Sequence, residues 1–177
     1  MIIDVIDMED SQLGKDREGQ LNRLGAKSLR LMMYGMSNGV AQVIWEITSC
    51  APLGAVNVLR IWSHGRGGGQ TFTGGHGGEA YRIAHWTGIS VANIEALGPT
   101  LSELAPYLSP HGRVELRGCE VASGADGEQL LLRLAAIWQV PVLAGSATQY
   151  RAEWDGTVVE ATPSGALMCI SPTGINN

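Results

Sequence analysis

The sequence predicts an α/β fold: a mostly parallel β-sheet covered by helices, with an antiparallel hairpin at one edge. Three observations lead there. Branched apolar runs that stop at glycine alternate with amphipathic stretches at helical spacing, the pattern of strand, crossover helix and parallel strand. The segment 157–170, "TVVEATPSGALMCI", sets two short apolar runs either side of Pro163-Ser164-Gly165, as a hairpin requires. With 177 residues and 45% apolar content, the chain can bury a sizeable core as a single domain over 1–177 without crosslinks.

Taken in order, "MIIDVID" alternates weakly and reads as a first strand, and the polar stretch from Glu9 to Arg23 reads as a loop or an exposed helix. "SLRLMMYG" is a short strand ended by glycine, followed by a helix with Val40, Val43, Ile44 and Ile47 on one face. "AVNVLRIW" (55–62) is rich in branched residues and reads as a buried strand ending at Ser63-His64-Gly65. The glycine-rich segment 66–90 reads as a long loop containing a hairpin. Next, Leu97, Leu101, Leu104, Ala105 and Leu108 share a helical face, with Pro99 suited to a first turn and His111-Gly112 as the stop. "RVELRGC" (113–119) is a strand running into glycine and cysteine. Asp126 then suits the cap of a helix with Leu130, Leu131, Leu134, Ala135, Ile137 and Trp138 on its apolar face, and "VPVLAG" (140–145) is the following strand.

Composition narrows the function. The net charge is −5 and the basic residues are scattered, so neither nucleic acid nor membrane insertion is expected. No apolar run reaches the roughly 18 to 20 residues of a membrane span, and the N-terminus lacks a secretory signal pattern. The chain is therefore expected in the cytoplasm, with signal-independent export also compatible. Cys50, Cys119 and Cys169 are too few and too widely spaced for a disulfide framework or a zinc pair. Neither cofactor nor metal is expected: His64, His76 and His85 form no recognised ligand spacing, and "GRGGGQ" completes neither phosphate-loop motif. His76 leaves three readings open: a second polar group over the cleft, a metal ligand with His64, or a loop residue.

Ligands and reacting groups of an open parallel sheet gather beyond the carboxyl ends of its strands. His64 and Cys119 each follow such an end. The chain between them is long enough for one loop and one crossover helix, so their strands are expected to be neighbours about 5 Å apart. A thiolate attacks a carbonyl, and imidazole is suited to move the proton near neutral pH, so the pair suffices for acyl transfer. Gly65 and Gly118 fit the accompanying need for closely approaching backbone N–H donors at an oxyanion. The competing reading makes Cys119 a small buried hydrophobe and His64 a turn residue. Cys50 and Cys169 read as structural thiols. Arg66, Glu120, Asp126, Ser146, Thr148 and Gln149 are candidates to line a substrate groove; Glu120 and Asp126 lean toward a basic residue before the scissile bond, and Asp126 serves equally as a helix cap.

"IWSHGRGG" and "VELRGCEVASGADGEQLLLRLA" resemble the caspase-like (clan CD) cysteine peptidases, which include caspases, legumains, gingipains, clostripain and separases. The likeness spans roughly Val56 to Ala147 and is strongest to a bacterial caspase-like domain often found near the start of very large surface proteins. It implies a three-layer α/β/α sandwich with its core motifs in 55–147. It also implies a His64–Cys119 dyad in which the histidine protonates the leaving amine, and an oxyanion hole from the amides of Gly65 and Cys119. The expected function is a cysteine endopeptidase acting on a protein or peptide substrate. Its alternatives are a catalytically silent peptidase-like module that binds a peptide or partner, and a thiol acyltransferase or amidase on the same dyad. The chain is shorter than most of these peptidases and shows no inter-subunit cleavage linker. Oligomeric state has no signature in the sequence.

Overall fold

The computed structural model describes residues 1–8, 11–23, 27–34, 39–71, 88–150 and 153–175, with backbone alone at 11–15 and 23. Strand β1 (Ile2–Asp7) leads to helix α1 (Ser11–Arg23), β2 (Leu29–Met33), helix α2 (Gly39–Cys50) and β3 (Val56–Trp62). Three short strands follow, β4 (Gly65–Arg66), β5 (Gly69–Thr71) and β6 (Gly88–Ser90), then helix α3 (Ile94–Ser102) and β7 (Leu108–Leu116). Helix α4 (Gly124–Trp138), β8 (Val142–Gly145) and the hairpin β9 (Val158–Ala161) and β10 (Leu167–Ile170) complete the order. The fold is mixed α/β, and the described residues form two sheets: seven strands in the order β10-β9-β8-β7-β3-β1-β2, and three in the order β4-β5-β6. Strands β2, β1, β3, β7 and β8 pair in parallel, whereas β9 and β10 are antiparallel at one edge. Among the described residues, no helix is long and apolar enough to cross a membrane.

Side chains alternate between the faces of a strand with period two. On one face Ile3, Val5, Leu59, Ile61, Val114 and Leu116 join Ile44 and Ile47 of α2, Leu101 of α3 and Leu130, Leu134 and Trp138 of α4 in the main core. Burying each such chain stabilises the fold by about 1.5–3 kcal/mol. The opposite face is different in kind. Arg30, Asp4, Arg60 and Glu115 stand side by side on β2, β1, β3 and β7, an alternation of sign across the sheet. Asp4 and Glu115 are fully buried. Arg60 donates to both oxygens of Asp4, Nε at 2.7 Å and Nη2 at 3.1 Å, and Trp62 adds its indole N–H at 2.8 Å. Glu115 accepts from Arg113 Nε at 2.8 Å and Arg117 Nη2 at 2.6 Å. Beside this row Ile6, Met8, Leu21 and Trp62 form a small second cluster, through which α1 meets the sheet.

Several expected boundaries shift. The stretch 9–23, read as a loop or exposed helix, contains α1, whose Arg17 and Leu21 are buried. Pro99 lies inside α3 rather than in its first turn, because the helix begins earlier: Asn93 ties its start to β6, accepting from Ser90 N at 2.7 Å and donating to Gly88 O at 2.9 Å. His111-Gly112 is not a helix stop but part of β7. A Cβ on Gly112 would lie 2.8 Å from Val56 O, so glycine there lets β7 run close to β3. Asp126 sits in the first turn of α4; the cap position is Ser123. Within 66–90, β4 and β5 form the expected hairpin and β6 joins it; residues 72–87, including His76 and His85, lie outside the described residues.

Removing one partner of a buried ion pair leaves an uncompensated charge, which costs about 3–5 kcal/mol. Asp4→Ala orphans Arg60 and the Trp62 N–H, and is expected to lower unfolding stability by that amount in denaturant titration. Truncating the exposed Glu103 serves as the control, expected to stay within about 0.5 kcal/mol.

Candidate functional site

Residues Ile61 and Leu116 are partners in the parallel pairing of β3 with β7, and Arg117 N donates to Ile61 O at 2.8 Å. His64 and Cys119 are each the third residue beyond that pair, so the pairing delivers both to the same level at the same end of neighbouring strands. The two segments are in backbone contact there. A Cβ on Gly65 would lie 2.6 Å from Cys119 O and 2.9 Å from Cys119 N, and one on Gly118 would lie 2.9 Å from Gly65 Cα. Only glycine at both positions allows this approach. His64 is exposed, and its carbonyl accepts from both Thr71 N at 2.9 Å and Thr71 Oγ1 at 3.1 Å. Behind it the fully buried Gln70 donates to Ile61 O at 2.7 Å and Ser63 Oγ at 2.9 Å, so the chain on either side of the imidazole is pinned.

Cys119 is half-buried. Its sulfur accepts from Gln149 N at 3.4 Å and stands 3.9 Å from Gln149 O. The next residue, Glu120, has φ of 57°, a left-handed conformation that costs a non-glycine residue roughly 1–2 kcal/mol. Bonds on both sides hold it: Glu120 N donates to Ala147 O at 2.9 Å, and Glu120 Oε1 accepts from Thr148 Oγ1 at 3.2 Å. The turn falls between the end of β7 at Leu116 and the start of α4 at Gly124. Strain of this kind at a strand-to-helix turn is frequent at functional sites.

The candidate groove residues divide. Glu120 and Thr148 bond to each other beside the thiol. Ser146 is held away from it, its hydroxyl donating to Thr157 O at 3.2 Å. Asp126 is exposed and packs over Gly68, and Arg66 is exposed on β4. Gln149 does not line a groove with its side chain, which is buried and bonded to Ala147 O, Asp155 O and Asp155 N; only its backbone faces Cys119. Cys50 and Cys169, expected in structural positions, are exposed. No group of three or more His, Cys, Asp or Glu suited to a metal ion occurs among the described residues.

Sequence reading missed the cationic and aromatic support beneath this end of the sheet. Arg117, two residues before Cys119, lies 5.0 Å from the Trp62 ring centre and 3.7 Å from that of Trp154. Burial pushes its guanidinium below the ordinary arginine value, and Glu115 opposes that shift. Arg17 of α1 is also buried, donates to Gln149 O at 2.7 Å and lies 5.7 Å from the Trp62 ring. Its one sequence signal was an arginine at helical spacing from Leu21, which ordinarily marks a solvated face.

The family model for a domain of unknown function, DUF4347, matches residues 16–157. The chain belongs to the DUF4347 family. No curated protein and no solved structure gives a significant match. In this DUF4347 chain the matched region begins beside Arg17 and ends beyond Gln149 and Asp155, so it contains every residue described around Cys119.

A methyl group on Gly65 would collide with Cys119 O and with Val121 Cγ2, each at 2.6 Å. Gly65→Ala is expected to cost about 1–3 kcal/mol of stability, the range for overpacking a rigid contact. Thermal unfolding checks it, against Gly98→Ala, where a Cβ meets nothing within 4 Å.

Proposed function

We propose that the chain is a cysteine endopeptidase of caspase-like type, its layers an α/β/α sandwich about the larger sheet. The observation that carries this reading is the backbone contact of Gly65 with Gly118 and Cys119 at the level ends of β3 and β7. In the proposed reaction the Cys119 thiolate attacks the carbonyl carbon of the scissile peptide bond, forming a carbon–sulfur bond. His64 gives a proton to the leaving amine as the C–N bond breaks, and water then hydrolyses the thioester, returning the thiol. The amides of Gly65 and Cys119, brought together by the same contact, are the proposed donors to the oxyanion. The exposed carboxylate of Glu120 beside the thiol fits a basic residue on the substrate.

One observation favours a second reading, a silent module that binds a peptide or protein partner. The Cys119 sulfur is already engaged by the backbone of Gln149, an arrangement that holds the side chain in place without any reaction. A thiol acyltransferase or amidase would use the same groups on a different acyl donor.

Cleavage of a peptide library separates these readings. Cys119→Ala is expected to abolish both cleavage and thiol-probe labelling at residue 119 while the circular dichroism spectrum is kept. His64→Ala is expected to lower the cleavage rate about 10²–10⁴-fold, the usual worth of a positioned proton donor. Cleavage by Cys119→Ala equal to that of the wild type overturns the mechanism. Peptide binding without cleavage by the wild type selects the silent module.

A further inference from the structure

We infer that Arg17 is a positioning residue for the Cys119 thiolate: from α1 it anchors Gln149 against the sulfur and sets a buried positive charge beside it. The inference rests on reading Cys119 as the nucleophile. Gln149 is the intermediary. Its N–H contacts the sulfur at 3.4 Å, and its carbonyl, 3.9 Å from the same sulfur, accepts from Arg17 Nη2 at 2.7 Å. Arg17 also donates from Nη1 to Gln20 Oε1 at 3.1 Å, and Gln20 Nε2 reaches Tyr150 O at 3.4 Å, so two residues of α1 grip the backbone at 149–150. Trp62 lies beneath the guanidinium. Only 5% of Arg17 is exposed, where a charge acts through less solvent than at the surface.

The charges around Cys119 come from several elements. Arg17 and Asp16 lie on α1, Asp155 on the segment after β8, His64 after β3, and Arg117 and Glu120 flank the cysteine on its own loop. Arg17 is attracted by the Cys119 thiolate, by Asp155 and by Asp16, while burial works against its charge; the thiolate is the strongest of the three attractions. A cation in that position favours the thiolate over the thiol, and the thiolate is the nucleophile.

Iodoacetamide tests this without any substrate, since the thiolate displaces iodide from it and forms a stable carbon–sulfur bond. Alkylation of each cysteine is followed by peptide mass spectrometry across pH, with exposed Cys50 and Cys169 as internal references. Arg17→Gln keeps a donor for Gln149 O but removes the charge. Its Cys119 is expected to react about tenfold more slowly at pH 7 and to regain the wild-type rate in alkali. Arg17→Lys keeps the charge and is expected to stay within about threefold of wild type. The inference is overturned if Arg17→Gln reacts like wild type at every pH. It is overturned equally if Arg17→Gln stays slow in alkali, or if Arg17→Lys is slowed as much, because access rather than charge then governs. A charge-dependent Cys119 profile in a protein that cleaves no library peptide upholds Arg17 and removes the peptidase reading alone.

Discussion

Two carboxylates with no access to water, Asp4 and Glu115, govern the arrangement of the central strands. An ionised carboxylate in such a place must be met by cations and N–H donors; β3 supplies them to Asp4, and Arg113 and Arg117 on either side of Glu115 supply them to it. Arg60 ties β3 to β1 through Asp4, whereas Glu115 is met by Arg113 and Arg117 of its own segment. A slip by a single residue would turn Asp4, Arg60 and Glu115 toward Ile44, Ile47 and Leu134 and strand their charges among hydrocarbon. The ends of β3 and β7 are level through their backbone pairing, with Ile61 opposite Leu116 and Arg117 N donating to Ile61 O. The meeting of the His64 and Cys119 segments is thus inherited from that strand pairing, four residues above Arg60 and Glu115.

Above that row the site is assembled almost wholly from backbone. Glycines 65 and 118 allow two chain segments to touch, Glu120 takes up a left-handed turn, and Gln149 turns its amide toward the sulfur while its side chain is locked by Ala147 and Asp155. Backbone groups held this way do not reorganise easily. The same rigidity explains why α1, polar by composition, is docked: its Arg17 satisfies a carbonyl that the turn at Gln149 leaves available.

Legibility in the sequence followed the physics of each element. Strand β3, the last residues of β7 from Val114 and helix α4 carry buried apolar residues at strand or helix spacing, which locates them and places His64 and Cys119 just past strand ends. The outcome for α1 differed because its docking depends on a polar side chain whose acceptor is 132 residues distant. Pro99 and His111-Gly112 misled for a related reason. Local rules favour a helix start at the proline and a stop at the glycine, whereas the Asn93 tie to β6 and the close approach of β7 to β3 overrode both. Cys50 and Cys169, read as structural thiols, fall on the surface.

By itself, then, the sequence determined the alternation of strand and helix, the antiparallel hairpin at the edge, and which cysteine and histidine follow strand ends, since each is recorded in nearest-neighbour spacing. Tertiary structure decided the level of those two ends, the inward turn of the Gln149 side chain and the burial of Arg17 and Arg117 beside aromatic rings. Those features depend on partners far apart in the chain, and a charge that must be matched by a residue of another element leaves no periodic mark in its own.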